Sequence, residues 1–329
     1  MAPHLPDAEA VARLRGNLAA LGPVRLPLGI GFSGGPDSLA LLLLAQAAFP
    51  GEVRAATVDH GLRQAAAAEA EHAKGVCAQL GIPHTTLRVD VAAGASVQAQ
   101  ARDARYQALA GWMAGAGITA LLTAHHLDDQ AETLLMRLLR GAGVAGLAGV
   151  RARRLLVEGC EAELLRPLLG WRRAELAEIV AASGLEAVTD PSNADQAFDR
   201  VRIRKLLAEA PWLDPDPLAR SAAALADAEE ALEAMTARCL AQAVEQHADH
   251  LLLRPADLPA EIQRRLLLRC LHLLAPAGKP RGEQVMEALR ALTEGRTVTL
   301  AGIKLSPQGA AWRIELAPPR RLAQSGEIA

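Results

Sequence analysis

The sequence predicts an α/β protein: a doubly wound parallel sheet, then a helical connector, then a small α+β domain. Three observations predict it. Short apolar runs alternate with helix-length runs between Pro27 and Arg140, the pattern of parallel strands joined by crossover helices. Polar motifs follow the ends of the first, second and fourth apolar runs, which is where such sheets bind ligands. Hydrophobic residues make up 51% of the 329 and charged residues 22%, so the chain can bury a sizeable core.

The elements follow in order. Val11, Leu14, Leu18 and Leu21 recur at helical spacing over Asp7–Leu21, and Gly22-Pro23 stops that helix. Pro27–Phe32 reads as a buried strand, Ser33–Pro36 as a turn and Asp37–Phe49 as an apolar helix. Val53–Val58 is a second strand and Ala65–Leu80 a second crossover helix. His84–Val89 is a third strand, and Ser96 caps a helix to Ala116. Ile118–Thr123 is a fourth strand, and Leu127–Arg140 the helix after it. Beyond Gly141 come a small-residue loop, a basic stretch at Arg151–Leu156 and an apolar segment at Leu164–Leu168. A helix at Arg172–Ser183, a turn at Asp190–Asn193 and a basic helix opening at Arg200 follow. Pro211, Pro215 and Pro217 mark a boundary, and Ala219–His247 is a long Ala-rich helix. From about residue 250 to 318, short strands surround the helices Glu261–Leu274 and Glu283–Leu292. The expected domains are 1–212, 213–249 and 250–329.

Composition narrows the function. Aromatics are only 2%, a poor basis for stacking single-stranded bases. The net charge of −2 gives no global field for nucleic acid, so any RNA contact must use local patches such as 151–154, 172–173 and 200–205. Cys77, Cys160, Cys239 and Cys270 are isolated and fit no zinc module, as in a reducing compartment. The N-terminus lacks a signal-peptide pattern, and the apolar stretch Leu39–Phe49 is far shorter than the ~20 residues of a membrane span. A cytoplasmic protein with no membrane partner is expected.

Five segments carry chemistry. Ser33-Gly34-Gly35-Pro36-Asp37-Ser38 lies between a strand and a helix. Its glycines, hydroxyls and helix N-terminus form an anion cradle, and the absence of Lys before Ser38 separates it from a Walker A loop. Asp59 and His60 end the second strand, where a base or ribose sits. Arg102 and Arg105 share a helix face able to clamp a phosphate, although spacing alone favours a solvated face. In Thr123–Thr133, His125 and Asp129 are four apart, and Asp129 and Glu132 three apart. No third His or Cys completes a zinc site, so Asp128 and Asp129 read better as Mg²⁺ carboxylates beside bound phosphates, and also as helix caps. Arg200, Arg202, Arg204 and Lys205 form a basic cluster for RNA phosphate or substrate, although spacing alone favours a basic helix on a solvated face.

The string IGFSGGPDSLALL resembles the pyrophosphate loop of N-type ATP pyrophosphatases, with an adenine nucleotide alpha hydrolase-like fold. Within that superfamily, ARDARYQAL, AHHLDDQAETLLMRLLRGAGVAGLAG, RPLL and the DPSN segment with its following arginines resemble tRNA(Ile)-lysidine synthetases. Val201 departs from the Asn common in that family. The resemblance implies ATP and Mg²⁺ as cofactors, with Asp37, Asp128 and Asp129 at the metal. A carboxylate in a phosphate loop would repel the ligand without a bridging cation. It implies Asp37, Arg105, Asp128, Asp129 and His125 as catalytic residues. Ser33 to Ser38, Asp59 and His60 would hold the nucleotide, and Arg102, Glu132, Arg166, Arg200, Arg204 and Lys205 the tRNA or lysine. The implied reaction joins L-lysine to C2 of the wobble cytidine in the CAU anticodon of tRNA(Ile), through an adenylated cytidine. Asp128, Asp129 and Glu132 are the candidate acids beside the lysine amine. Oligomeric state stays open, a homodimer included. A tRNA thiolase would need cysteines at sulfur-carrying spacing, an ammonia-using ligase would need a glutaminase source, and a binding module would not need these acids.

Overall fold

In a computed structural model, the structure describes residues 3–59, 65–89, 97–188, 199–276, 278 and 280–318. Two compact units divide at Asp227/Ala228.

The first unit opens with α1 (Ala8–Ala20), whose N-cap Asp7 accepts from the Ala10 N–H at 2.8 Å. Strand β1 (Leu28–Gly31) is buried throughout, and α2 (Pro36–Ala48) begins with Pro36 in its first turn. Leu39 to Ala45 are fully buried on every side of α2, because this helix lies between the sheet and the neighbouring helices. Then come β2 (Val53–Asp59), α3 (Ala65–Gln79), β3 (His84–Arg88), α4 (Val97–Ala116), β4 (Ala120–Leu122), α5 (Leu127–Leu138) and α6 (Val144–Leu147). β5 (Arg153–Leu155), β6 (Glu163–Leu165), α7 (Arg173–Ser183) and α8 (Asp199–Glu209) complete the sheet and its cover.

The strand order is β3-β2-β1-β4-β6-β5. Every pairing is parallel except β5 on β6, which is antiparallel at the edge. Chain direction across the sheet reverses at β1 and β4, so the crevice for a ligand opens at their carboxyl ends. Gly29 sits where a Cβ would come within 3.1 Å of the Trp112 ring and 3.2 Å of Ile118, so only glycine lets α4 approach β1 this closely.

Some elements differ from their sequence reading. The basic stretch at 151–156 contains strand β5, whose outer edge is free to carry arginines. The fourth strand is shorter because the Ile118 N–H closes the end of α4 on Met113 O. Helix α9 (Pro215–Ala243) starts at the prolines rather than after them, since a first turn needs no N–H partner. It ends at Ala243, and residues 244–246 turn into a strand.

The second unit carries the C-terminal part of α9, β7 (Val244–Gln246), β8 (His250–Leu253), α10 (Ala260–Leu274), α11 (Gly282–Thr293), β9 (Val298–Leu300), β10 (Ile303–Gln308) and β11 (Ala311–Leu316). Its antiparallel sheet runs β7-β8-β11-β10-β9. Leu251, Leu253, Leu266, Ile303 and Ile314 form its core. Beside that core, buried Arg265 bonds Glu229 at 2.6 Å, Glu233 at 2.6 Å and Glu261 at 2.8 Å. Among the described residues, no helix is long and apolar enough to cross a membrane.

Candidate active site

The loop leaving β1 is knitted by its own hydroxyls. Ser38 Oγ donates to Gly35 O at 2.9 Å, which uses its one proton. It therefore accepts from the Ser33 N–H at 3.3 Å and from the Ser33 hydroxyl at 3.1 Å. Ser38 is a brace of the loop, while Gly35 and Pro36 present the N-terminus of α2 to the crevice. Gly34 has φ +81°, and a Cβ there would lie 3.2 Å from Val188. Its carbonyl accepts from the Val188 N–H at 2.9 Å, tying the loop to the exit of α7.

Asp37 stands in the first turn of α2, with its side chain 35% exposed. Its Oδ2 is 3.4 Å from Nε2 of His126, which is 0% exposed. His126 is the N-cap of α5, and its N–H donates to Asp129 Oδ2 at 3.1 Å. That cap fixes the ring among acids: Nδ1 is 3.5 Å from Asp128 Oδ2 and Nε2 is 3.6 Å from Asp129 Oδ2. Burial disfavours the imidazolium, but Asp128, Asp37 and Asp129 outweigh it and push His126 up to about 9. Burial likewise opposes ionisation of Asp128, yet His126 and the Arg173 N–H, 2.8 Å away, hold it down at about 2. Asp37 is lowered against its burial by His126, Arg173 and Arg204.

Opposite this acidic half lies a cationic one, and adjacent histidines divide them. His125 Nδ1 is 3.2 Å from Thr123 Oγ1 and 3.3 Å from Arg166 Nε. Burial and the charges of Arg166, Arg200, Arg102 and Arg105 push His125 down to about 3. Arg166 is 3% exposed and its own ionisation is lowered to about 10, first by burial. Tyr106 lies between guanidiniums: Arg102 is 5.2 Å and Arg154 4.9 Å from its ring centre. Half-buried Arg105 is lowered by burial and by Arg102.

One part of the pH response of folding follows from His125. Its folded value, about 3, is below its ordinary 6.5, so the neutral ring stabilises the fold above pH 6.5. That contribution is lost as pH falls from 6.5 toward 3, by at most ~1.4 kcal/mol per pH unit. His125→Gln should flatten this part of the acid limb, read from urea unfolding at several pH values. Parallel limbs for variant and parent would contradict it.

Glu132 is 1% exposed and joins distant chain segments. It pairs with Arg204 at 2.9 Å, Arg173 at 3.2 Å and Arg200 at 3.4 Å. The structure thus gathers Asp37, His125, Asp128, Asp129, Glu132, Arg166, Arg200 and Arg204 at one crevice, with Arg102 and Arg105 on its cationic side. Lys205 is turned outward, 59% exposed and 3.7 Å from Glu209, and Arg202 pairs outward with Asp199. Asp59 ends β2, while His60 and the DPSN turn lie outside the described residues. Sequence reasoning gave no site role to His126, Thr123 or Tyr106, and read Arg173 only as part of a basic patch at 172–173. An available signal for His126 was its position immediately before the first acidic turn of a helix.

The donor set suits a hard cation. Among the described residues, no three His, Cys, Asp or Glu converge as a closed metal cage. Mg²⁺ needs none, since one or two carboxylates complete a shell of phosphate oxygens and waters. Asp37, Asp128 and Asp129 cluster within 3.6 Å of the His126 ring nitrogens, so hard carboxylate oxygens are gathered at this point of the crevice.

A sheet reversing beside a Ser-Gly-Gly loop, with acids and guanidiniums sorted at its mouth, defines an ATP-binding PP-loop protein, and residues 14–210 match the PP-loop domain. The U34-tRNA thiolase NcsA from Methanococcus maripaludis shares the fold, with a TM-score of 0.56 at 16% identity over 67% of this chain and 78% of that one. A tRNA(Ile)-lysidine synthase from Novosphingobium aromaticivorans is 47% identical over 95% of each chain. Another, from Zymomonas mobilis subsp. mobilis, is 44% identical over 92% of each. The chain belongs to the tRNA(Ile)-lysidine synthase family.

Proposed function

We propose that this enzyme joins free L-lysine to C2 of the wobble cytidine in the CAU anticodon of tRNA(Ile), converting codon reading from AUG to AUA. Near full-length similarity to lysidine synthases carries the substrate assignment, because PP-loop folds serve several nucleophiles. The segregated charges supply a matching chemistry. ATP lies with its phosphates on Ser33–Ser38 and the N-terminus of α2. The cytidine O2 attacks the α-phosphorus and pyrophosphate leaves. The lysine amine then attacks C2, the C2–O bond breaks, AMP leaves with its oxygen, and the amine loses a proton.

The side chains divide this work. Arg102, Arg105 and Arg200 stabilise phosphate charge from the cationic half, with buried Arg166 behind them holding His125. Asp37, with Asp128 and Asp129, would hold Mg²⁺, which would neutralise the triphosphate. The free edges of the acidic half orient the lysine amine. Glu132, committed to three guanidiniums, aligns Arg173, Arg200 and Arg204 instead of meeting the amine itself. Reactants are held for in-line attack, and proximity supplies much of the rate. The enzyme works in the cytoplasm, where tRNA and free lysine are available, and one site per chain suffices whether it is a monomer or a homodimer.

The test is incubation of the pure protein with CAU-anticodon tRNA(Ile), labelled lysine, ATP and Mg²⁺. Lysine should enter the tRNA with equal release of AMP and pyrophosphate. ATP binding without lysine transfer would overturn the assignment and leave the PP-loop fold standing.

A further inference from the structure

The two hydrogen bonds on His125 determine which of its nitrogens carries a proton. An arginine Nε–H can only donate, so the Nδ1 it faces at 3.3 Å must be a lone pair. Thr123 Oγ1, 3.2 Å from the same atom, then donates as well. A neutral ring with its lone pair at Nδ1 carries its proton at Nε2. Both donors are rigid. Thr123 is buried, and its N–H is bonded to Leu165 O at 3.0 Å on the neighbouring strand. Buried Arg166 also donates to Arg151 O at 2.5 Å. Among the described residues, no protein group accepts from Nε2, and that atom is not a buried orphan. The charges that act most strongly on the ring are those of Arg166, Arg200, Arg102 and Arg105, all cations. What approaches Nε2–H in such surroundings is an anion.

We propose that His125 is a fixed neutral hydrogen-bond donor, giving Nε2–H to a phosphate oxygen of the reacting complex rather than moving a proton. This rests on the lysidine synthase reading for its ligand, though the tautomer belongs to the free protein. Thr123 and Arg166 are positioning residues that aim the ring. The acceptor is a phosphate oxygen of ATP or of the tRNA backbone near the target cytidine. A neutral donor keeps its N–H throughout the reaction, so it can follow charge onto an oxyanion without a change of protonation.

The experiment is ¹H–¹⁵N NMR of histidine-labelled protein, with His125 assigned by its loss in a variant. An Nε2–H tautomer that persists from pH 8 to pH 5 is expected. Adding ATP, and separately adding tRNA(Ile), should shift that signal in the arm whose phosphate it meets. In parallel, His125→Gln places an amide N–H near the ε position, His125→Asn places one near the δ position, and His125→Ala removes both. Gln should retain transfer within about tenfold of the parent, while Asn and Ala lose about 10²-fold in kcat. The pH profile of the Gln variant should match the parent. A ring titrating near 6.5, an Nδ1–H tautomer, or a signal unmoved by both ligands overturns the proposal. So does a folded Gln variant as slow as Ala. Failure of the parent protein to transfer lysine would instead strike the functional assignment, since the tautomer is measured without turnover.

Discussion

Asp37→Asn is expected to lower lysine transfer by roughly 10²–10³-fold while leaving the protein folded. The substitution keeps the shape and removes one charge. Asp37 is 35% exposed, so no buried cavity is opened. What is lost is the carboxylate that sits 3.4 Å from His126 at the start of the phosphate-facing helix. On the proposed reading, its loss would deprive Mg²⁺ of an oxygen ligand and the triphosphate of the partner that offsets its charge. ATP affinity should fall less than kcat, because the loop backbone and the helix N-terminus remain. Single-turnover lysine incorporation, beside equilibrium ATP binding, separates the two. Transfer within tenfold of the parent would remove Asp37 from the reaction centre.

Glu132→Ala should destabilise the first unit by about 3 kcal/mol, the lower part of the range for breaking a buried ion network. The lower part applies because Arg173, Arg200 and Arg204 are 31%, 42% and 36% exposed and water can reach them once released. The carboxylate itself is 1% exposed and holds α7 and α8 to α5 through these arginines. Urea unfolding gives the loss directly. A change below about 1 kcal/mol would mean that the three guanidiniums are held by something other than this carboxylate.

Much of the sheet was readable because its signal is local. The uniformly apolar α2 and the buried β1 announce a two-sided layer, and the polar motifs follow the strands whose ends form the crevice. What escaped was non-local or depended on cap geometry. Spacing along a helix pairs His125 with Asp129, yet the N-cap places the ring of His126, not His125, among the acids. Glu132 resembles a free acid in sequence because its partners are 41, 68 and 72 residues further along. Strand β5 was hidden by its arginines, which suit an edge and not an interior strand.

Strand order also has a consequence for chain synthesis. β4 is buried along its length and is covered by β6, which is made some forty residues later. Until Glu163–Leu165 emerges, a nascent chain that has assembled its first four strands carries an apolar, unpaired strand where an interior one will be. The late hairpin of β5 and β6 therefore seals the sheet, ending it in Arg153 and Arg154, charges that discourage a further strand from another chain.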